Sequence, residues 1–199
     1  AITDHGKYLG ITRGLDTDRI VRQIAEIDRL NETLVGLQLL KGLEVDVLED
    51  GSLTIPDEML DRLDLVVCAI HSHFRLSSDI QTARVIRAIE NRQCDILAHP
   101  TVRLIGERQP LNLDMEAVLH AAAQHGCILE INAQPDRLDL DDVHARRAKE
   151  LGVRLAISSD AHTARGLDAI HLGVGQARRA WLEARDVVNT YPLREMKRL

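Results

Sequence analysis

Apolar runs that stop at a histidine or a carboxylate recur through this chain, and no other feature constrains its fold as much. The clearest is Val153-Arg154-Leu155-Ala156-Ile157, which ends in Ser158-Ser159-Asp160-Ala161-His162. A short run rich in Val, Leu and Ile reads as a buried strand. Three earlier runs end the same way, in His5, in His71 and in His99-Pro100. Carboxylates and imidazoles coordinate divalent metals, and strand ends are where an α/β protein collects its chemistry.

Between these runs the period changes to that of helices. Lys7 to Asp16 reads as a loop, and Thr17 caps a helix with Ile20, Ile24, Ile27 and Leu30 on one face. Leu34 to Leu48 is a strand region interrupted by Glu44, and Asp50-Gly51 is a turn signal. Met59 to Leu63 is a short helix before the run Asp64 to His71. Ser78 or Asp79 caps a helix through Ile80, Ala83, Ile86 and Ile89, which stops near Asn91. Asp95 to Pro100 is a short strand, and Val102 to Pro110 an irregular basic loop. Asp114 to His125 is a helix closed by Gly126, a favourable residue just past a helix end. Cys127 to Asn132 is a strand and Asp139 to Leu151 a helix. From Gly166 onward a loop precedes helices around Gln176–Glu183 and Ala184–Asn189.

Alternating strands and helices with short connectors imply βα units and a mostly parallel sheet. Polar residues converging at many strand ends favour closure into a (β/α) barrel, with an open doubly wound sheet as the alternative. The 199 residues fit one domain, 1–199, with a full core. Only 2% of residues are aromatic, so that core is aliphatic. No Gly-x-Gly-x-x-Gly turn or phosphate-binding Gly-x-x-x-x-Gly-Lys loop is present. The net charge of −6 argues against tight nucleic-acid binding by this chain alone, because phosphate neutralisation needs clustered Lys and Arg. Cys68, Cys94 and Cys127 lie in or beside apolar runs and read as buried thiols of a reducing compartment, and no run is long enough to span a bilayer. A cytoplasmic protein is expected. The opening at Ala1-Ile2-Thr3, inside a strand-like run and without an initiator Met, reads as a fragment whose upstream part has been removed.

His5, Glu44, His71, His99, Asp160 and His162 together form a ligand set suited to Zn²⁺, Mn²⁺ or Fe²⁺. Taken singly each has a plainer reading. A strand-end His can be a hydrogen-bonded structural residue, Glu44 a solvent-facing one, and Asp160 a helix cap. The same placement on several strands is harder to explain that way. A carboxylate such as Glu44 can bridge two ions, which bind a phosphoryl oxygen and generate hydroxide near neutral pH. Arg75, Arg103 and Arg108, in the loops after His71 and His99, are either solvated charge or holders of phosphate oxygens. Asn132 could orient a ligand, and Glu130 could equally be a buried partner. His73 is open between the site mouth and solvent, while His120, His125, His144 and His171 read as solvated.

The motifs Thr-Asp-His-Gly, Gly-Leu-Glu-Val-Asp, Ile-His-Ser-His-Phe, Leu-Ala-His-Pro, Glu-Ile-Asn-Ala and Ser-Asp-Ala-His occur in this order. In this they resemble the polymerase and histidinol phosphatase (PHP) superfamily. Stretches 87–91, 114–118 and 173–179 resemble more narrowly the C-terminal PHP domain of bacterial X-family DNA polymerases. The resemblance covers essentially the whole chain. It implies a distorted seven-stranded (β/α) barrel holding up to three metal ions and acting as a phosphoesterase. In the polymerase subgroup that activity is a Mn²⁺-dependent 3′→5′ exonuclease. It also implies that Glu44 bridges two ions, with His71 and His99 completing one site. Asp160 would serve the other bridged site, and His5 with His162 the third. Glu44 and Asp160 would thus be the catalytic pair, and the substrate a DNA 3′ end presented by attached polymerase domains. The family's first strand, which carries His-x-His, is missing from this chain. A small-molecule phosphatase resembling histidinol phosphatase, or a non-catalytic scaffold of a polymerase, are the alternatives.

Overall fold

The structure, a computed structural model, describes residues 1–7 and 14–196. Residues 8–13 of the expected 7–16 loop lie outside the described residues. Five strands form one sheet in the order of the chain: β1 (Gly42–Asp46), β2 (Leu65–Ala69), β3 (Ile96–Leu97), β4 (Ile128–Asn132) and β5 (Leu155–Ser158). Every neighbouring pair is parallel. Helices α1 (Thr17–Asn31), α2 (Asp57–Leu60), α3 (Ser78–Glu90), α4 (Met115–His125), α5 (Asp142–Glu150), α6 (Ile170–Arg179) and α7 (Leu193–Met196) make up the rest of the regular structure with short 3₁₀ turns. Parallel strands require crossovers, and α2 to α5 supply them between successive strands.

The strands are buried on both faces, as continuous apolar runs predict for a parallel sheet. Along β2 the period of two is plain. Val66 and Cys68 enter the large core under the helices, whereas Val67 and Ala69 face a second cluster with Ile96, Ala98, Ile128, Ala156 and Val188. The three thiols are free and buried. Beyond β1, Ile2 and His5 bridge in parallel to Lys41 and Glu44. Beyond β5, Val187 bridges to Leu155. Among the described residues no β-bridge joins the two edges.

Several boundaries differ from the sequence expectation for local reasons. The cap of α1 is Asp16, whose carboxylate accepts the Arg19 N–H at 3.0 Å, so Thr17 is the first helical residue. Of the expected 34–48 strand, Gly42–Asp46 forms the ladder with β2, and Lys41 and Val47 at its ends make single bridges to Ile2 and Leu53. The expected 139–151 helix begins at Asp142. Asp141 caps it and Asp139 is drawn off by the Thr101 backbone N–H at 3.0 Å. The expected 176–183 helix starts earlier, at Ile170, and ends at Arg179, with Trp181 in a left-handed conformation. Residues 184–190 form two 3₁₀ turns. Gly51 holds the expected turn. Its φ of +85° is left-handed, and a Cβ there would lie 2.8 Å from the Arg84 carbonyl oxygen. Arg84 is itself buried, donating to the Leu48 and Ser72 carbonyls at 2.7 and 2.9 Å, and so pins α3 to the chain leaving β1 and β2. No helix of the described residues is long and apolar enough to cross a membrane.

Candidate metal centre

All the strand-end candidates lie at the carboxyl edge of the sheet. Parallel pairing guarantees this, since it points every strand's C-terminal end the same way. Glu44 is the hub. It is 8% exposed, yet its two oxygens meet three imidazoles. Oε1 lies 3.1 Å from His71 Nε2 and 3.2 Å from His99 Nε2, and Oε2 lies 3.5 Å from His5 Nδ1. The parallel bridge between His5 and Glu44 sets those two side chains next to each other. Ring centroids of His5 and His71 are 5.2 Å apart, and those of His71 and His99 5.3 Å. Burial acts to raise the Glu44 carboxyl, but hydrogen bonds from His71 and His99 outweigh it and hold the group well below the usual carboxylate range.

Asp46 was not singled out from the sequence, although its place two residues after Glu44 puts it on the same strand face. Its Oδ1 lies 2.8 Å from His71 Nδ1, which leaves Nε2 directed at Glu44. Burial pulls the His71 imidazole down. Asp46 and Glu44 more than reverse this and raise it to about 9. This carboxylate–imidazole pairing is the arrangement that orients metal-ligating histidines.

A second group of buried polar residues links β3, β4 and β5. Glu130 accepts the His99 backbone N–H through Oε2, the Asn132 side-chain amide at 3.3 Å, and the Ser158 hydroxyl. Asn132 also donates to Asp160 Oδ2 at 3.0 Å. Burial dominates at Glu130 and raises its carboxyl to about 7. Glu130 and Asn132 therefore tie His99 to Asp160. Both of those residues have positive φ, 28° and 45°, which turns the chain sharply as each strand ends. Glu44, His99, Glu130 and Asp160 line one cavity of about 350 Å³, together with the apolar Val67, Ile96, Ala98 and Ala156.

His162 is nearer the rim. Its side chain is 70% exposed, its Nδ1 lies 3.0 Å from the Asp160 carbonyl, and its ring is 5.9 Å from that of His5. His73 turns instead toward Glu49, 3.6 Å away. His120 pairs with Glu116, and His144 with Asp141. Arg103 gives Nε to the Arg137 carbonyl at 2.8 Å and Nη2 to the Leu138 carbonyl, bracing the loop after β4. Arg108 gives Nε to the Val102 carbonyl and stacks its guanidinium over Phe74, 4.6 Å from the ring centroid. Arg75 is exposed.

The donor set fits divalent metal ions. One atom each of His5, Glu44 and His71 lie within 4.8 Å of one another. His99 Nδ1 is buried with no hydrogen-bond partner among the described residues, and buried His5 Nδ1 has the 3.5 Å ion-pair approach to Glu44 Oε2 but no hydrogen bond. Buried polar atoms are rarely left so.

The chain is 40% identical over 197 residues to the DNA polymerase/3′-5′ exonuclease PolX of Bacillus subtilis, a match that takes in 99% of this chain and 35% of that protein. The chain belongs to the PHP family. No family model matches it. Two further relatives of this PHP chain are probable phosphatases. That of Caldanaerobacter subterraneus is 34% identical over 171 residues, 81% of this chain and 63% of the phosphatase. That of Thermoanaerobacter sp. X514 is 36% identical over 143 residues, 67% and 56% respectively. The PHP chain thus spans about a third of the polymerase and more than half of either phosphatase.

Proposed function

We propose that this PHP chain is the metal-dependent phosphoesterase part of a bacterial X-family DNA polymerase, and that it hydrolyses the 3′-terminal phosphodiester of DNA. The observation that carries the reading is Glu44, a buried carboxylate meeting three imidazoles at strand ends. It occurs in a chain similar along 99% of its length to a protein named as a polymerase and 3′-5′ exonuclease. The probable phosphatases among the relatives support ester hydrolysis as the common chemistry. Their matches cover less of the chain, which favours the polymerase-type substrate.

Glu44 would bridge two ions, with His71 and His99 beside Oε1 and His5 beside Oε2, and Asp160 and His162 would add ligands from the end of β5. Up to three ions of Zn²⁺, Mn²⁺ or Fe²⁺ suit this imidazole and carboxylate set. When bound, such ions supply Lewis acidity at a phosphoryl oxygen and a hydroxide nucleophile near neutral pH. The remaining work belongs to the chain's own residues. Asp46 fixes the tautomer and facing of His71, and Glu130 with Asn132 holds His99 and Asp160 in register. Val67, Ile96 and Ala156 give the cavity beside the site an apolar wall. Arg75 and Arg108 would meet flanking phosphates, and Arg103 would act by holding the loop after β4.

Two finer readings accompany this one. The sheet would be part of a distorted (β/α)7 barrel, supported by the pairing of residues 2–6 beyond β1 and of Val187 beyond β5. DNA would arrive from attached polymerase domains, which agrees with the net charge of −6. A 3′-labelled oligonucleotide incubated with the Mn²⁺-loaded chain tests the function. The expected result is release of the terminal nucleotide, stopped by chelator and by Asp160→Asn. Hydrolysis of small phosphomonoesters without action on DNA would transfer the reading to phosphatase chemistry, and no hydrolysis of either would end it.

A further inference from the structure

The turn that leaves β5 carries Asp160 and His162, and a residue that the motifs did not mark holds it. Gln134, in the loop between β4 and α5, donates its side-chain amide to the Ser159 carbonyl and, at 3.1 Å, to the Asp160 carbonyl. Just before it in the chain, the Ala133 N–H donates to the Ser158 carbonyl at 2.8 Å. Residues 133 and 134 thus hold three successive carbonyls as β5 ends. Asp160 sits in the middle of this with a φ of 45°, a left-handed conformation that a non-glycine residue keeps where its surroundings impose it.

The same loop holds the side chain of Asp160. The Gln134 backbone N–H donates to Asn132 Oδ1 at 3.0 Å, which sets the facing of that amide and leaves its Nδ2 for Asp160 Oδ2, also at 3.0 Å. Arg137 Nε lies 3.6 Å from the same carboxylate oxygen. His162 depends on the turn in another way. Its Nδ1 is 3.0 Å from the Asp160 carbonyl and 3.8 Å from Asp160 Oδ1, and a carbonyl or a carboxylate accepts without donating. The shorter contact is therefore a hydrogen bond when Nδ1 carries the proton, which leaves the Nε2 lone pair free. A carbonyl oxygen has two lone pairs, so that of Asp160 serves Gln134 and His162 together.

We propose that Gln134 is the positioning residue of this turn. Its amide fixes the Asp160 carbonyl, and through that carbonyl it holds His162 in the Nδ1–H tautomer. That the free Nε2 then meets a metal ion rests on the metal-centre reading above. The hold on the turn and the tautomer do not.

Long-range ¹H–¹⁵N NMR of the imidazoles in the chelator-treated chain tests this, at a pH where the His162 ring is neutral. The wild type should carry the His162 proton on Nδ1. Gln134→Met keeps the length of the side chain and removes its donors, so the Nε2–H form should appear in a chain that circular dichroism shows to be folded. Zn²⁺ is then titrated in and followed at His162 Nε2. Half-saturation should need about tenfold more Zn²⁺ in the variant, the lower end of what losing a residue behind a metal ligand costs. Gln134→Glu sets acceptor oxygens against the same carbonyls and should act like Gln134→Met, so it carries the test if that variant does not fold. A wild-type ring protonated on Nε2 would overturn the proposal, as would one tautomer shared by the wild type and a folded variant. A tautomer that depends on Gln134, with an Nε2 that Zn²⁺ leaves unchanged, would uphold the positioning role and contradict the place of His162 among the metal ligands.

Discussion

Asp46 decides which way the His71 imidazole faces, through a 2.8 Å contact to Nδ1 that leaves Nε2 for the cluster. Asp46→Asn removes the charge and lets the ring choose its tautomer. We expect metal affinity to fall about 10- to 100-fold, the usual cost of losing such a partner, in a competition titration against a chelator. Unchanged affinity would show that His71 needs no support. The same pair has a pH signature in the metal-free chain. The His71 imidazole is raised in the folded state from its ordinary 6.5 to about 9. Its stabilising contribution is therefore whole below about pH 6.5 and is lost as pH rises through about 9. The melting temperature of the chelator-treated chain should fall across that window, by about 2–4 °C for each ~1 kcal/mol lost, and Asp46→Asn should flatten the fall. A melting temperature that rises from pH 6.5 to 9 would contradict the assignment.

Helix α6 shows what a short contact between elements demands. A Cβ on Gly173 would come within 2.5 Å of Ile157 Cγ2 and 2.9 Å of Ala133 Cβ, so the helix lies directly on β5 and the end of β4. Gly173→Ala should cost about 1–3 kcal/mol as overpacking, read as a lowered melting temperature, and an unshifted transition would mean that α6 can move aside freely. The order of strands and helices was legible in the sequence because buried parallel strands and amphipathic helices have distinct periods. So were His5, Glu44, His71 and His99, each ending or interrupting an apolar run. Asp46, Glu130 and Asn132 were harder to read, because a polar residue inside an apolar run has no periodic signature of its own. Their partners come from neighbouring strands 25 to 31 positions away, which only pairing brings together. Arg137 lies in a loop whose path depends on the carbonyls that Arg103 reaches from the preceding loop. The helix boundary at Asp142 likewise depended on Thr101, a tertiary contact that local propensity does not encode.

For the whole molecule, charge and proposed substrate pull in opposite directions. The chain carries 31 acidic against 25 basic residues, and counterion release rewards only phosphates that meet Lys or Arg. We expect the chain alone to bind single-stranded DNA with a Kd no tighter than about 10⁻⁴–10⁻⁶ M, measured by fluorescence anisotropy over a salt series. Nanomolar affinity or a steep salt slope would reveal a basic surface that grips DNA without help. The account stands most heavily on Glu44 as the carboxylate that gathers the metal ions. Elemental analysis after gel filtration in Mn²⁺ or Zn²⁺ tests it directly. The wild-type chain should retain at least one tightly held equivalent, and Glu44→Gln, folded by circular dichroism, should retain none. Equal metal content in the two chains would contradict the account.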